Sequence, residues 1–137
     1  MYDVAIIGGG PGGYAAALYA HNFGLTVALV EKDQVGGTCL LRGCIPAKSW
    51  LQTAEVYSTV AESADFGVVS APPQVDWPAA LARKQKVVTG LVNGLSGLLK
   101  SRNVDVIDGY GRLVDGGVEV TAADGAAHRV EARNVII

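Results

Sequence analysis

Cys39 and Cys44 are the only two cysteines in the sequence, and four residues separate them. Two thiols this close along the chain can hold and release two electrons by forming and breaking a disulfide. Lys48 follows Cys44 at the i+4 position, which lies on the same face of a helix. Its positive charge favours the thiolate, which is the reactive form in thiol–disulfide exchange. We therefore interpret residues 36–48 as a candidate redox centre.

The spacing of the two cysteines requires a distorted backbone if they are to bond to each other. In a regular α-helix, residues at i and i+5 lie about 8.7 Å apart at Cα, whereas disulfides rarely span more than about 7 Å. Gly43 permits an unusual backbone, and Pro46 disfavours helical geometry at Ile45. We expect a bent or partly helical segment, followed by a helix from Pro46 onward.

Three other interpretations of the cysteines stay open from the residues alone. The cysteines could form a structural disulfide, bind a metal ion, or lie unrelated in the core. A metal site is disfavoured because no second Cys or His pair stands at usable spacing, and we predict none. A structural disulfide is disfavoured because a lone pair in a cytoplasmic protein is more often catalytic. Unrelated cysteines would not explain the glycines and the lysine around them.

Composition narrows the class of protein. The chain has 137 residues, half of them apolar, and a net charge of −2, which predicts a globular domain without a broad nucleic-acid-binding surface. No apolar run approaches the roughly 18 residues that a membrane span needs. The first residues lack the charged region of a signal peptide. We expect a cytoplasmic protein that binds neither membrane nor nucleic acid.

The first third of the sequence predicts a strand, a glycine-rich turn, a helix and a second strand. Residues 3–7 and 26–30 are short apolar runs of the kind found in buried parallel strands. The alanine-rich residues 14–22 favour the helix between them. This order of elements is the frame in which a glycine-rich turn can bind a dinucleotide.

Gly8, Gly10 and Gly13 satisfy the G-x-G-x-x-G spacing of dinucleotide-binding turns. The first glycine makes the tight turn, the second lets the backbone approach a pyrophosphate, and the third lets the helix pack against the strand. Glu31 lies 18 residues after Gly13, near the position of a carboxylate that binds a ribose hydroxyl, and an acid there disfavours NADP. These residues leave FAD and NAD both open.

Residues 36–48, Gly-Gly-Thr-Cys-Leu-Leu-Arg-Gly-Cys-Ile-Pro-Ala-Lys, resemble the signature of the class I pyridine nucleotide-disulfide oxidoreductases. Leu40 and Ile45 favour the dihydrolipoamide dehydrogenase group, since glutathione and mercuric reductases more often carry valine there. The resemblance implies an FAD-dependent enzyme that converts dihydrolipoamide and NAD to lipoamide and NADH through a Cys39–Cys44 disulfide. The alternatives are a related glutathione, mycothione or mercuric reductase, or a non-catalytic flavin-fold binding module.

The resemblance also implies roles for individual residues. Cys39 is then the interchange thiol that meets the substrate, Cys44 lies beside the flavin, and Lys48 is held near the flavin ring. Glu31 then binds the adenosine ribose. The expected FAD-binding residues are Gly8, Gly10, Pro11, Gly12, Gly13, Glu31, Lys32, Gly37, Thr38, Cys39, Cys44, Lys48, Tyr110 and Gly111.

The middle of the chain predicts packing elements without chemistry. Residues 49–64 continue the helix, residues 66–78 form a loop, and Asp76 is a helix-start signal. The helix that follows carries an apolar stripe, which predicts core packing. Its members are Leu81, Val88, Leu91, Val92, Leu95, Leu98 and Leu99.

From Val104 onward the apolar pattern changes to a period of two, typical of strands. Strands are predicted over residues 104–108, 109–113, 118–120, 128–131 and 135–137, with turns at 116–117 and 124–125. This segment resembles the small antiparallel meander of the family. The resemblance places Tyr110 and Gly111 near the adenine end of FAD.

The predicted fold class is α/β, a Rossmann-like FAD-binding domain with a parallel sheet, helices and a small antiparallel β-meander. We expect residues 1–137 to be the N-terminal portion of this domain, which is then incomplete. We expect the NAD-binding and dimerisation domains, with the catalytic histidine, to be absent from this portion. Partners implied for the full-length homodimer are NAD and the lipoyl group of an acyltransferase or a small disulfide. We expect this piece to be inactive alone and to bind FAD weakly or not at all.

Overall fold

The computed structural model describes residues 1–137 as an α/β fold, as predicted. The strands are β1 (Tyr2–Ile7), β2 (Val27–Glu31), β3 (Asp105–Asp108), β4 (Tyr110–Val114), β5 (Gly117–Thr121) and β6 (Ala127–Ile136). The helices are α1 (Pro11–His21), α2 (Gly37–Leu41), α3 (Cys44–Ala61) and α4 (Trp77–Ser101), with a short 3₁₀ turn at Ser63–Phe66.

All six strands belong to one sheet in the order β3-β2-β1-β6-β5-β4. Strands β3, β2, β1 and the second half of β6 run parallel, with Leu29 opposite both Ile6 and Val106. The first half of β6 is antiparallel to β5, which is antiparallel to β4. The glycine-rich turn of the predicted nucleotide site follows β1, in the parallel part of the sheet.

Strand β3 lies in the parallel sheet, so its predicted place in the meander was wrong. It pairs with β2 over Ala28–Glu31 and Asp105–Asp108. The chain leaves β2, passes through α2, α3 and α4, and returns to the same sheet edge. Such a helical crossover joins parallel strands. The antiparallel meander therefore consists of β4, β5 and β6 alone.

Strand β6 is continuous, where two separate strands were predicted. Val118 pairs with Val130 in the antiparallel half, and Val4 pairs with Asn134 in the parallel half. The Asn134 side-chain amide also donates to the Asp3 carbonyl at 3.1 Å. The polar residues between the two predicted strands thus belong to the same ladder, and β6 joins the parallel and antiparallel parts.

The core lies on both faces of β1 and β2. Ile6 and Leu29 face the helices and pack in one cluster with Leu99 of α4. Ala28 and Val30 point the other way and pack against the meander. Because both faces of these strands are covered, their sequences are continuous apolar runs.

The apolar stripe of α4 is narrower than predicted. Val88, Val92 and Leu99 are buried, whereas Leu81, Leu91 and Leu98 are at least 42% exposed. Leu91 and Leu98 each precede a buried residue by one position, which turns them about 100° away from the contact line. The N-cap prediction is confirmed, since the Asp76 carboxylate accepts the Ala79 N–H at 3.0 Å. No helix in the structure is both long enough and apolar enough to cross a membrane.

Candidate redox and nucleotide-binding site

The glycine-rich turn connects the end of β1 to the start of α1. The helix begins at Pro11, three residues earlier than predicted, and Gly8 makes the turn with φ +103°. A Cβ at Gly13 would lie 1.8 Å from the Gly8 carbonyl oxygen. The packing role predicted for Gly13 is therefore confirmed, because no side chain fits between this helix and the strand.

The N-terminus of α1 can hold an anionic group. Its N-cap, Gly10, offers no side-chain hydrogen bond, and Pro11 at the first position has no N–H. The N–H groups of Gly12 and Gly13 lie in the first turn, where a helix supplies no acceptor. A Cβ built at Gly8 or Gly12 would meet no atom within 4 Å. Open space thus adjoins free donors at the positive end of the helix dipole, which fits a pyrophosphate.

Glu31 ends β2 beside this turn. Its Oε2 accepts the Gly9 N–H at 2.7 Å, and its Oε1 accepts the Asp33 N–H at 2.9 Å. These two backbone contacts orient the carboxylate at the edge where the parallel strands end. Neither Gly9 nor Asp33 was predicted to have a role, because a backbone donor carries no residue-type signal.

Five of the predicted cofactor residues line one cavity of about 420 Å³. They are Gly8, Glu31, Lys32, Tyr110 and Gly111. The Lys32 ammonium lies 5.8 Å from the centroid of the Tyr110 ring, within the range of a cation–π contact. A Cβ at Gly111 would lie 3.1 Å from Val30 Cγ1, so this glycine lets β4 approach β2 closely. The cavity adjoins the glycine-rich turn at Gly8, and it fits the adenosine half of a dinucleotide.

Cys39 and Cys44 are joined by a disulfide, and their Cα atoms are 4.7 Å apart. Helix α2 ends at Leu41, residues 42–43 break the helix, and α3 begins at Cys44. The predicted bend is therefore confirmed.

The prediction that Pro46 keeps Ile45 out of the helix was wrong. Ile45 is the second residue of α3, and Pro46 is the third. In the first turn of a helix the N–H groups have no intrahelical acceptor, so Pro46 loses no hydrogen bond there. The helix therefore starts two residues before the expected position.

The cysteine segment rests directly on the glycine-rich turn. The Gly36 N–H donates to the Gly9 carbonyl at 2.7 Å. A Cβ at Gly37 would lie 2.6 Å from the Gly10 Cα, so the two backbones touch. Thr38 follows in α2 with an exposed side chain. The fold thus brings the thiols and the candidate phosphate-binding turn into one unit.

Cys44 and Lys48 are exposed on successive turns of α3, and Cys39 is half-buried. Cys44 is the first residue of that helix, and its N-cap, Gly43, supplies no side-chain hydrogen bond. The free N–H groups of the first turn and the ammonium of Lys48 both favour negative charge on Cys44 once the disulfide opens. The arrangement suits a leaving thiolate.

Sequence comparisons identify relatives along the whole chain. The family model described as pyridine nucleotide-disulphide oxidoreductase matches residues 2–137. A dihydrolipoyl dehydrogenase of Acholeplasma laidlawii is 45% identical over 137 residues, covering 99% of this chain and 40% of that protein. The dihydrolipoyl dehydrogenase of Bacillus subtilis is 49% identical over 113 residues, covering 82% of this chain and 24% of that protein.

Solved structures share the fold. LpdA from Mycobacterium tuberculosis superposes with a TM-score of 0.87 at 28% identity, over 96% of this chain and 30% of that one. RclA from Escherichia coli, a flavoprotein disulfide reductase induced by HOCl and solved as a Cu(II) complex, gives 0.79 at 28% identity. That match covers 98% of this chain and 27% of that one.

The sequence match and the fold match cover the glycine-rich turn, the cysteine segment and the meander together. The resemblance carried by residues 36–48 is confirmed, and the fold corresponds to the Rossmann-like FAD-binding domain of LpdA-type structures. The chain belongs to the pyridine nucleotide-disulphide oxidoreductase family.

Proposed function

We propose that this chain is the N-terminal portion of the FAD-binding domain of a dihydrolipoamide dehydrogenase, and that Cys39–Cys44 is its redox-active disulfide. One observation carries the proposal: the disulfide segment is packed backbone-to-backbone on a nucleotide-binding turn, with Gly36 donating to Gly9 at 2.7 Å. A structural disulfide has no need of that neighbour. The dihydrolipoyl dehydrogenases among the relatives support the choice of substrate.

The chain spans 40% and 24% of the length of the two curated relatives described above. We therefore assign the NAD site, the catalytic histidine and the dimerisation domain of such an enzyme to residues outside these 137. On this proposal the complete protein is a homodimer that acts on the lipoyl group of an acyltransferase in the cytoplasm. The 137-residue chain alone would show no NAD-linked turnover.

FAD is the cofactor that these residues fit. Gly8, Gly10, Pro11, Gly12 and Gly13 would hold its pyrophosphate, and Glu31, Lys32, Tyr110 and Gly111 would hold its adenosine. The residues left for the flavin end are Gly37, Thr38, Cys39, Cys44 and Lys48. When bound, FAD would take two electrons from the reduced cysteine pair and deliver them to NAD.

The residues of this chain would carry out the thiol exchange. A thiolate of dihydrolipoamide attacks Cys39 Sγ, a mixed disulfide forms, and Cys44 leaves as a thiolate beside Lys48. The second substrate thiol gives its proton to the histidine base that this proposal places outside the 137 residues, and its sulfur attacks the substrate sulfur of the mixed disulfide. Lipoamide is released and Cys39 leaves as a thiolate. Two electrons have then moved from the substrate to the cysteine pair.

A related disulfide reductase is the second candidate. The structural match to the flavoprotein disulfide reductase RclA has the same 28% identity as the match to LpdA. The cysteine segment itself suits any dithiol or thiol substrate. Discrimination between dihydrolipoamide and glutathione, mycothiol or mercuric ion therefore needs a direct comparison of substrates.

The test is the reduction of the disulfide in the 137-residue chain, measured as free thiols after rapid alkylation. Dihydrolipoamide should convert zero free thiols to two, at a rate that is then compared with the rates for glutathione and mycothiol. Cys39→Ser and Cys44→Ser each leave one permanent thiol and abolish the change. A faster reduction by glutathione or mycothiol would support the second candidate. Failure of dihydrolipoamide to open the disulfide would exclude the proposed role.

Flavin binding is tested separately by gel filtration of the chain mixed with FAD. We expect little or no flavin absorbance to travel with the protein, because residues outside the chain complete the site on this proposal. Flavin retained at one equivalent would contradict that part of the proposal. Glu31→Gln, which keeps the side-chain shape, should then weaken the retention.

A further inference from the structure

Arg42 lies between the two cysteines and forms an ion pair with Asp33. Its Nη2 is 2.5 Å from Asp33 Oδ2. The Arg42 backbone N–H donates to the Thr38 carbonyl at 2.9 Å, which closes the last turn of α2. The side chain therefore leaves the helix where the backbone bends and reaches the loop that follows β2.

That loop is fixed to the nucleotide-binding turn. The Asp33 N–H donates to Glu31 Oε1 at 2.9 Å, and the Gly9 N–H donates to Glu31 Oε2 at 2.7 Å. A continuous series of polar contacts thus runs from Gly9 through Glu31 and Asp33 to Arg42. It connects the glycine-rich turn with the bend between the thiols.

The other contacts of the cysteine segment are a backbone hydrogen bond and apolar packing. Gly36 is bonded to Gly9, and Leu40 is buried against Val88 and Val92 of α4, with Leu41 and Ile45 packed against the same cluster. Within residues 37–48, the contact of Arg42 with Asp33 is the only side-chain hydrogen bond. The bend itself thus has a single polar anchor.

We propose that Arg42 is a positioning residue for the cysteine pair, with Asp33 as its anchor. When the disulfide opens, a form in which α2 and α3 merge into one helix can compete with the bent form. In the merged helix the cysteine Cα atoms would lie about 8.7 Å apart, against 4.7 Å in the bent form. Merging would also rotate Arg42 with the helix and break its contact with Asp33. The ion pair therefore favours the bent form of the dithiol and keeps the two thiols within bonding reach.

This role differs from direct stabilisation of a thiolate by the charge of Arg42. Exchanging the partners, Asp33→Arg with Arg42→Asp, keeps the ion pair but removes the positive charge from position 42. A positioning role predicts recovery in the exchanged variant. A direct charge effect has the opposite sign, because a positive charge that stabilises a thiolate favours the reduced pair; Arg42→Gln would then raise the equilibrium constant for disulfide formation.

The experiment measures the dithiol–disulfide equilibrium of the 137-residue chain in glutathione buffers at pH 7, by alkylation and mass. Arg42→Gln and Asp33→Asn should each lower the equilibrium constant for disulfide formation about threefold, the size expected of an exposed ion pair. The double variant should lower this equilibrium constant no more than either single variant does. In the exchanged variant the constant should return to within about twofold of the parent value.

Arg112→Gln is the matched control. Its pair with Glu119 has a distance of 2.7 Å and side-chain exposures of 68% and 40%, against 65% and 42% for Arg42 and Asp33. It lies on the β4–β5 hairpin, so its loss should leave the equilibrium unchanged. Asp33→Asn preserves the side-chain shape, and circular dichroism of each variant checks the fold.

The proposal fails if Arg42→Gln and Asp33→Asn behave like the control, if their effects add, or if the exchanged variant stays low. It rests on the proposed function only in treating the pair as redox-active. The assay contains no flavin and no pyridine nucleotide. A chain that never accepts electrons from dihydrolipoamide would contradict the proposed function and leave this result intact.

Discussion

The β1–α1–β2 unit and the α3–α4 pair of helices use their apolar residues differently. In β1 and β2, residues such as Ala5, Ala28 and Leu29 are fully buried. In α3, only Ser49 of 18 residues is buried, and Leu51 is 67% exposed. The strands pack against both neighbouring layers, whereas the helices touch the rest of the fold along a narrow line.

The difference shows which part supplies rigidity to the site. The glycine-rich turn is held by backbone contacts inside the β1–α1–β2 unit. The cysteine segment is held against that turn by Gly36 and Gly37, and against α4 by Leu40. The helical pair therefore contributes one apolar cluster, in which Leu41 and Ile45 pack beside Leu40, while the strand unit contributes the surface on which the thiols rest.

The largest expected effect comes from Gly13→Ala. The new Cβ would lie 1.8 Å from the backbone oxygen of Gly8, so the helix or the turn must move. We expect a loss of about 4 kcal/mol or more in the free energy of unfolding, measured with urea. Gly94→Ala in α4 is the control, since nothing lies within 4 Å of its Cβ; it should stabilise by about 0.5–1 kcal/mol. If the two substitutions changed the free energy of unfolding equally, the contrast between the two regions would be wrong.

The next effect separates the two sides of α4. Leu99 is fully buried in the cluster that contains Ile6 and Leu29, whereas Leu98 is 42% exposed. Leu99→Ala should cost about 3 kcal/mol through lost burial and a cavity. Leu98→Ala should cost about 1 kcal/mol or less in the same urea titration. A larger loss from Leu98→Ala would mean that the exposed side of this helix is packed in solution.

A smaller effect, dependent on pH, is expected at the start of β1. The backbone N–H and hydroxyl of Thr26, and then Arg133, lower the pKa of Asp3 below its ordinary value of 3.8. A lowered pKa stabilises the fold fully above the ordinary value, and the contribution is lost as the pH falls through the folded-state pKa. Asp3→Asn should therefore unfold at lower temperature than the parent at pH 7, with the difference shrinking below about pH 4.

Asp65→Asn is the control for this effect, since the Asp65 carboxylate makes no hydrogen bond or ion pair. It should shift the melting temperature little at any pH. A difference between Asp3→Asn and the parent that stays constant down to acidic pH would contradict the assignment.

The smallest effect is expected at alkaline pH. The hydroxyl of Tyr2 donates to Asp105 Oδ2 at 2.9 Å, and this hydrogen bond, with burial, raises the pKa of Tyr2 above 10.0. The contribution is full below pH 10 and is lost as the pH rises through the folded-state pKa. Tyr2→Phe should therefore destabilise the protein at pH 8 and narrow its difference from the parent at higher pH. Thermal melts of both proteins from pH 8 upward check this prediction. A difference in melting temperature that widens with pH would be evidence against the Tyr2–Asp105 hydrogen bond.

The glycine-rich turn and the cysteine segment could be predicted from the sequence because their constraints are local. Gly13 must be small to fit against Gly8, and the bend between Cys39 and Cys44 follows from their spacing if the two are bonded. Both features depend on residues that are near one another in the chain. Each was expected before any packing was known.

The placement of β3 and the unity of β6 could not be predicted in the same way. An alternating apolar pattern is the same for a strand in a hairpin and for one that returns to a parallel sheet. The pairing of Val106 with Leu29, and of Asn134 with Val4, is decided by partners about 80 and 130 residues away.

The shared strand β6 also determines when the central ladder can form. Tyr2 pairs with Ala132, and Ile6 pairs with Ile136, so this ladder joins residues about 130 positions apart in the sequence. Contacts of such long range form late, because the entropy of closing the loop must be spent before the pairing stabilises it. During synthesis, β1 and β2 leave the ribosome with one edge of β1 open. That edge stays available to other strands until residues 132–136 of β6 have been made.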